Sequence, residues 1–305
     1  MTDRNCFCEN LMAALPQVEL RFEEPLAKHT SFRIGGPAQV MAFPKDREAL
    51  SRCLKAAKKL DIRPRILGAG TNILAPDEGV EGLIICLKEN FDGMEQVEST
   101  RIRVMSGVTM TRAAVFAANL GLSGLEFAHG IPGTVGGGVY MNAGAYGGEI
   151  CQVCSRVALM DFDGEIREIP GSEMDFSYRH SRLETEPGIV VWAEFDLTPS
   201  EPETVKEKMR ELMAKRKASQ PLDLPSAGSA FKRPVGGYAA ALIDQAGLKG
   251  FQVGGAAVSE KHAGFAVNLG GATAADVLDL LEQVSDKVFE NSGIRLEPEI
   301  RLWKA

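Results

Sequence analysis

Ten glycines fall between Gly121 and Gly148, and no other feature restricts the fold of this chain as strongly. Glycine in a helix or strand interior costs about 0.5–1 kcal/mol relative to alanine, so this stretch does not form one long regular element. From Phe127 to Ile150 it reads FAHGIPGTVGGGVYMNAGAYGGEI, with Gly130, Gly133 and Gly136 three apart and Gly137, Gly138, Gly144, Gly147 and Gly148 following. One reading is a run of tight turns and β-bulges; the other is a loop whose bare main chain cradles the phosphates of a cofactor. A second cluster, Gly68-Ala69-Gly70-Thr71-Asn72, follows the apolar run Arg65-Ile66-Leu67. Two separated clusters can clasp one long ligand, which favours the cradle.

Neither cluster has the spacing of a common nucleotide motif. GAGTNI from Gly68 departs from GxGxxG at Ile73, where close helix packing requires glycine. No GxxxxGK[ST] occurs, which disfavours a P-loop kinase or ATPase.

The pattern around the clusters is α+β. Lys45 to Leu60 places Leu50, Leu54, Ala57 and Leu60 at helical spacing before Pro64, and a second apolar run covers 82–87. A strand over 101–106, a helix over 111–120 stopped by Gly121, and alternating segments over 157–162 and 190–197 predict a mostly antiparallel sheet, with Asp163-Gly164 as a hairpin turn. A charged helix over 202–217 leads to the breakers Gln220-Pro221 and Leu224-Pro225, and beyond them lie a helix over 238–246, strands over 256–258 and 263–267, a long helix capped by Thr273 and Asp276, and a final strand. Three domains are expected, over 1–85 (with an N-terminal helix), 86–204 and 205–305.

Composition narrows the function classes. Lys and Arg number 34 against 41 Asp and Glu, a net charge of −7 that disfavours nucleic acid as a partner. No run approaches the roughly 18 apolar residues of a membrane span, and Asp3, Glu9 and Glu19 are unlike a secretory signal, so a cytoplasmic location is expected. Six cysteines over 305 residues do not make a disulfide framework. Cys151-Gln-Val-Cys154 is the only CxxC; zinc there needs two more ligands from distant sequence, so reduced thiols and no metal are expected.

Six segments in order carry a resemblance over nearly the whole chain: HTSFRIGG from His29, ILGAGTNIL from Ile66, GLEFAHGIPGTVGGGVYMNAGAYGGEI from Gly124, FSYRHSR from Phe176, QPLDLPSAGSAFKRP from Gln220 and LEPEIR from Leu296. On these the chain resembles the UDP-N-acetylenolpyruvoylglucosamine reductase (MurB) family of flavoenzymes of peptidoglycan precursor synthesis. Only about fifty positions separate Arg179 from Ser229, with no long loop carrying a substrate-capping tyrosine, so the resemblance is to the type II form.

The resemblance implies an FAD-binding region of the vanillyl-alcohol-oxidase type, built of two α+β subdomains, followed by a substrate domain. Non-covalent FAD would be held by Gly68, Ala69, Gly70, Thr71 and Asn72, and by Gly130, Ile131, Pro132, Gly133, Thr134, Gly136 and Gly137. Asn142, Ala143 and Gly144 would lie toward its flavin side. NADPH would be the hydride donor, and the substrate a UDP-sugar enolpyruvyl ether. Arg179 would bind the developing charge of the substrate carboxylate with its planar fork of donors. Ser229 would be the proton donor, with the preceding glycine freeing the backbone to present its hydroxyl. Glu299 would be the third catalytic residue; Glu297 falls on the same strand face, so only the family motif chooses between them. Tyr178, Lys217, Lys232 and Arg233 are candidate contacts for the diphosphate and nucleotide, and His262 for the substrate pocket. An FAD-dependent oxidase on the same scaffold is the alternative, and a binding protein without chemistry would be marked by loss of Arg179, Ser229 and Glu299, all of which are present.

Overall fold

The computed structural model describes residues 2–305, and side chains from Cys6 onward. They form two compact units, and neither is continuous in sequence. The first takes the residues up to Phe22 together with Val40–Ala69 and Gly82–Lys215; the second takes Glu23–Gln39, Gly70–Glu81 and Arg216–Ala305. Boundaries at 85/86 and 204/205 do not express this division, because a cut along the sequence cannot show two early segments returning to the C-terminal hundred residues.

In the first unit the helix Arg47–Lys59 begins at Asp46, whose side chain accepts from Ala49 N at 2.7 Å. Its buried face, Leu50, Cys53, Leu54 and Ala57, packs with Val40, Ala42, Leu83 and Ile85, and with Ala158, Met160 and Val191. The expected antiparallel sheet is present, ordered Ile166–Pro170, Cys154–Met160, Ile189–Asp196, Arg101–Met105, Met94–Glu98. Its hairpin loop starts earlier than Asp163-Gly164 alone suggests. Asp161 Oδ1 accepts from both Asp163 N and Glu165 N, which takes Asp161 and Phe162 out of the strand. The helix Met110–Asn119 is capped by Thr109 and followed by Gly121 at φ +69°, as the glycine stop predicts.

In the second unit an antiparallel sheet, ordered Ser226–Ser229, Phe265–Asn268, Ala256–Val258, Gln252–Val253, accompanies the long helix Ala274–Ser292. Val277, Leu280, Leu281, Val284 and Val288 of that helix share a core with Phe32, Ile34 and Leu74. Thr273 and Asp276 form the expected capping box. Asp77, which no local pattern connects with this helix, accepts from Ala274 N at 2.8 Å and Ala275 N at 3.1 Å. A carboxylate here satisfies two amides that a helix leaves without internal acceptors, at the positive end of its dipole. This contact is one reason that residues 70–81 belong with the C-terminal part of the chain. The expected final strand is short: Arg301–Leu302 pairs, in parallel, with Ile73–Leu74.

Asp77→Ala is expected to destabilise the second unit by about 1 kcal/mol, the usual cost of losing a helix cap. Chemical denaturation with a probe in that unit measures it, and an unchanged midpoint would show that water replaces the carboxylate at no cost.

Candidate active site

The residues that the motifs single out fall into two groups, one in each unit. In the first unit the strand Arg65–Leu67 pairs in parallel with Val80–Cys86 and runs out at Gly68. A Cβ at Gly68 would stand 2.6 Å from Thr134 Oγ1, so only glycine lets the strand end come this close to the second glycine cluster. Thr134 is buried and caps the short helix Val135–Tyr140, accepting from Gly137 N at 3.4 Å. The loop before it is pinned by Gly130 N to Thr111 Oγ1 at 3.1 Å, Ile131 N to Ala128 O at 3.1 Å and Met110 N to Gly133 O at 3.0 Å.

Two of the three glycines in this helix are explained by packing. A side chain at Gly136 would collide with Ser106 and one at Gly138 with Met110, whereas Gly137 is exposed and meets only Thr134 Oγ1, at 3.7 Å. The segment thus leaves bare main chain exposed at Gly137, where a long ligand can approach the backbone closely, while the amides of Val135, Gly136 and Gly138 donate to Val108 O, Ser106 O and Thr134 O. By that test these residues fit FAD.

Tyr178 and Arg179 are the middle residues of a tight turn. Ser177 and His180 exchange two main-chain hydrogen bonds of 3.2 Å across it, and Arg179 sits in the left-handed region at φ +56°. Its guanidinium lies 5.1 Å from the Tyr178 ring centroid. Asn142 is buried, and its amide donates to Glu149 Oε2 at 2.9 Å and to Ser177 O at 3.1 Å while accepting from Cys151 N at 2.9 Å. Its main-chain N–H is committed as well, to Val139 O at 3.2 Å. Burial raises the Cys151 thiol and pushes Cys154 up to about 12, so neither end of the CxxC offers a ready thiolate.

In the second unit Asn72 closes the GAGTN turn. Its amide donates to Glu299 O at 3.3 Å, and its carbonyl accepts from Arg301 N at 3.0 Å. Glu299 N donates to Ala230 O at 2.9 Å, and Lys232 N to Glu297 O at 2.8 Å. Ser229, half-buried, is the residue before Ala230, so the candidate proton donor and the candidate carboxylate lie on one short antiparallel pairing. Gly228 at φ +79° makes the register shift between Ser226 and Ser229, a bulge that re-aims the serine. The two glutamates differ in setting: Glu299 is 9% exposed, whereas Glu297 is exposed and paired with Lys232.

His262 is held beside the same strands. Gly264 N donates to its Nδ1 at 3.1 Å, its ring meets Phe265 edge-on at 5.0 Å, and Ala230 N donates to Gly264 O. Arg233 lies 4.6 Å from the Tyr238 ring centroid. Lys217 is exposed near the end of its helix, where its carbonyl accepts from Lys261 Nζ at 2.6 Å. Sequence reasoning missed Arg216, an arginine only 5% exposed whose Nη1 donates to Gln220 Oε1 at 3.0 Å. Nothing in a charged helix distinguishes it from its exposed neighbours.

Comparison with known proteins adds to this geometry. Residues 38–170 match a family model described as an FAD binding domain, and residues 220–303 match one described as the C-terminal domain of UDP-N-acetylenolpyruvoylglucosamine reductase. A reductase of that name from Agathobacter rectalis is 45% identical over 307 aligned positions, which cover 97% of this chain and 98% of that protein. The chain belongs to the UDP-N-acetylenolpyruvoylglucosamine reductase family. A relative of the same name from Caldanaerobacter subterraneus subsp. tengcongensis is 44% identical over 96% of this chain and 97% of its own. The crystal structure of the MurB reductase from Thermus caldophilus matches with a TM-score of 0.80 at 36% identity, covering 94% of this chain and 99% of that one. The expected fold class, an FAD-binding region followed by the family's C-terminal domain, holds, and FAD is the cofactor of the matched domain. The oxidase alternative is not favoured.

Burial, with a smaller effect of the Lys249 charge, lowers the His262 pKa below the ordinary imidazole range. NMR titration of this ring is expected to give a midpoint below about 6.5; a midpoint above it would mean that an anion reaches the ring.

Proposed function

We propose that this chain is a UDP-N-acetylmuramate dehydrogenase, reducing UDP-N-acetylglucosamine enolpyruvate to UDP-N-acetylmuramate with NADPH. The observation that carries the catalytic assignment is the placement of Ser229 and a buried Glu299 on one strand pairing, with the bulge at Gly228 turning the serine. Residues 68–72 and 130–137 would hold FAD, which would supply hydride transfer from NADPH to the β-carbon of the substrate's double bond. That addition leaves enolate character on the α-carbon and its carboxylate, and the chain's own residues must stabilise the charge and supply a proton.

Arg179 takes the carboxylate. A guanidinium stays protonated through the cycle and offers two parallel donors to both oxygens, so its hold tightens as charge moves onto them. Ser229 gives its hydroxyl proton to the α-carbon. Serine is a weak acid, but an enolate is basic enough to take the proton if the alkoxide is stabilised or refilled nearby. Glu299 does one of two jobs: protonated, it hydrogen-bonds the substrate carboxylate; ionised, it orients the other groups of the site. The family's type II form and a cytoplasmic location accompany this reading. Among the described residues no helix is long and apolar enough to cross a membrane. The partner is a small UDP-sugar, with neither nucleic acid nor membrane involved.

Ser229→Ala separates the two half-reactions. Positioned proton transfer typically contributes about 10²- to 10⁴-fold, so anaerobic reoxidation of the reduced enzyme by substrate is expected to slow by that order while bleaching by NADPH is unchanged. Reoxidation at the wild-type rate would remove Ser229 from the role.

A further inference from the structure

The Asn142 side chain commits its hydrogen-bonding groups within the protein. Its residue is 1% exposed, both amide hydrogens are committed to Glu149 Oε2 and Ser177 O, and its Oδ1 accepts from Cys151 N. It occupies the left-handed region at φ +42°, which asparagine tolerates better than most residues. Ser177, whose carbonyl it holds, is the first residue of the turn that carries Arg179. The far side of that turn is tied to the same loop, because Ser181, fully buried, donates from its hydroxyl to Tyr140 O at 2.8 Å. The turn is therefore gripped at both ends by residues 140–142, the loop that leaves the glycine-rich helix.

Such a grip has a physical purpose. A left-handed arginine is disfavoured as an isolated residue and persists only where its surroundings over-determine it. A bidentate clamp also needs the guanidinium placed closely, since a displacement of about 1 Å in a reacting group can cost about 100-fold in rate. We propose that Asn142 is a positioning residue for Arg179: its amide bracket on the Ser177 carbonyl fixes the turn that aims the guanidinium at the substrate carboxylate. The inference rests on the proposed role of Arg179 and adds to it the group that sets the arginine's geometry from the cofactor-side loop.

Two variants of the flavin-loaded enzyme test it. Asn142→Gly keeps the left-handed backbone available and removes the hydrogen bond to Ser177 O together with those to Glu149 and Cys151 N. Asn142→Asp with Glu149→Gln keeps the acceptor for Cys151 N and restores a hydrogen bond between 142 and 149 with its polarity reversed, but it sets an oxygen against the Ser177 carbonyl. In the flavin-loaded form of both, reoxidation by substrate is expected to slow about 10- to 100-fold more than bleaching by NADPH does. In an Arg179→Lys background, adding Asn142→Gly should change reoxidation by less than about twofold, because the two residues act on one interaction.

Three results would overturn the proposal: full additivity with Arg179→Lys, a wild-type rate in the Asp/Gln pair, or loss of flavin from both variants. Arg179→Lys alone separates the two levels. If it reoxidises like wild type, the role of Arg179 fails and the positioning role with it. If it is slow while Asn142→Gly is normal, only the positioning role fails.

Discussion

The C-terminal segment is registered against the strand that leaves the first glycine turn, and the second unit depends on this constraint. Arg301 N bonds to Asn72 O, Trp303 N to Leu74 O at 3.0 Å, and the Asn72 amide reaches back to Glu299 O. Two residues of parallel pairing make a weak sheet by themselves. They hold because Leu74 and Ile300 are buried in the same core as the long helix, and because Asp77, three residues beyond Leu74, caps that helix. The turn that closes at Asn72 is thereby fixed to the main chain of Glu299, the candidate carboxylate. On the other side of that turn, Ser31 N bonds to Gly70 O and the Ser31 hydroxyl to Ser226 O at 2.6 Å, so the strand that ends in Ser229 is tied to it as well.

The first unit solves a similar problem by other means. Its glycine-rich segment is not loose: Gly68 abuts Thr134, Gly136 abuts Ser106 and Gly138 abuts Met110, so most of these glycines are sites of close packing. The loop that follows ends in a saturated asparagine amide, and that amide grips the arginine turn. Each unit therefore ties a glycine-rich loop to the main chain of a candidate-site segment through an asparagine amide, Asn72 to Glu299 O in one and Asn142 to Ser177 O in the other. Asn142 is buried with its side-chain hydrogen bonds satisfied, and such an amide is costly to disturb, which suits it to hold a geometry.

Local periodicity made the regular elements legible. The helix Arg47–Lys59, the antiparallel sheet around Cys154–Met160 and the capped helix Ala274–Ser292 each announce themselves in a window of a dozen residues. The unit boundaries did not, because the grouping of residues 23–39 and 70–81 with the C-terminal part depends on contacts such as Asp77 with Ala274, far apart in sequence. The candidate site was legible only as motif. Arg179, Ser229 and Glu299 taken singly have the composition of surface residues, and strand alternation could not separate Glu297 from Glu299. Only the fold shows the difference: Glu297 is exposed beside Lys232, and Glu299 is 9% exposed. The bracket at Asn142 left no trace in the sequence beyond an asparagine in a glycine-rich loop.

The central claim is that this chain moves reducing equivalents from NADPH to an enolpyruvyl ether through bound FAD. Anaerobic rapid-mixing absorbance of the wild-type flavoprotein tests it most directly, with NADPH added first and UDP-N-acetylglucosamine enolpyruvate second. The account predicts that the flavin's visible band bleaches with NADPH and returns only with that substrate. Return of colour with oxygen alone at a comparable rate, or a purified protein that takes up no flavin on reconstitution, would contradict it.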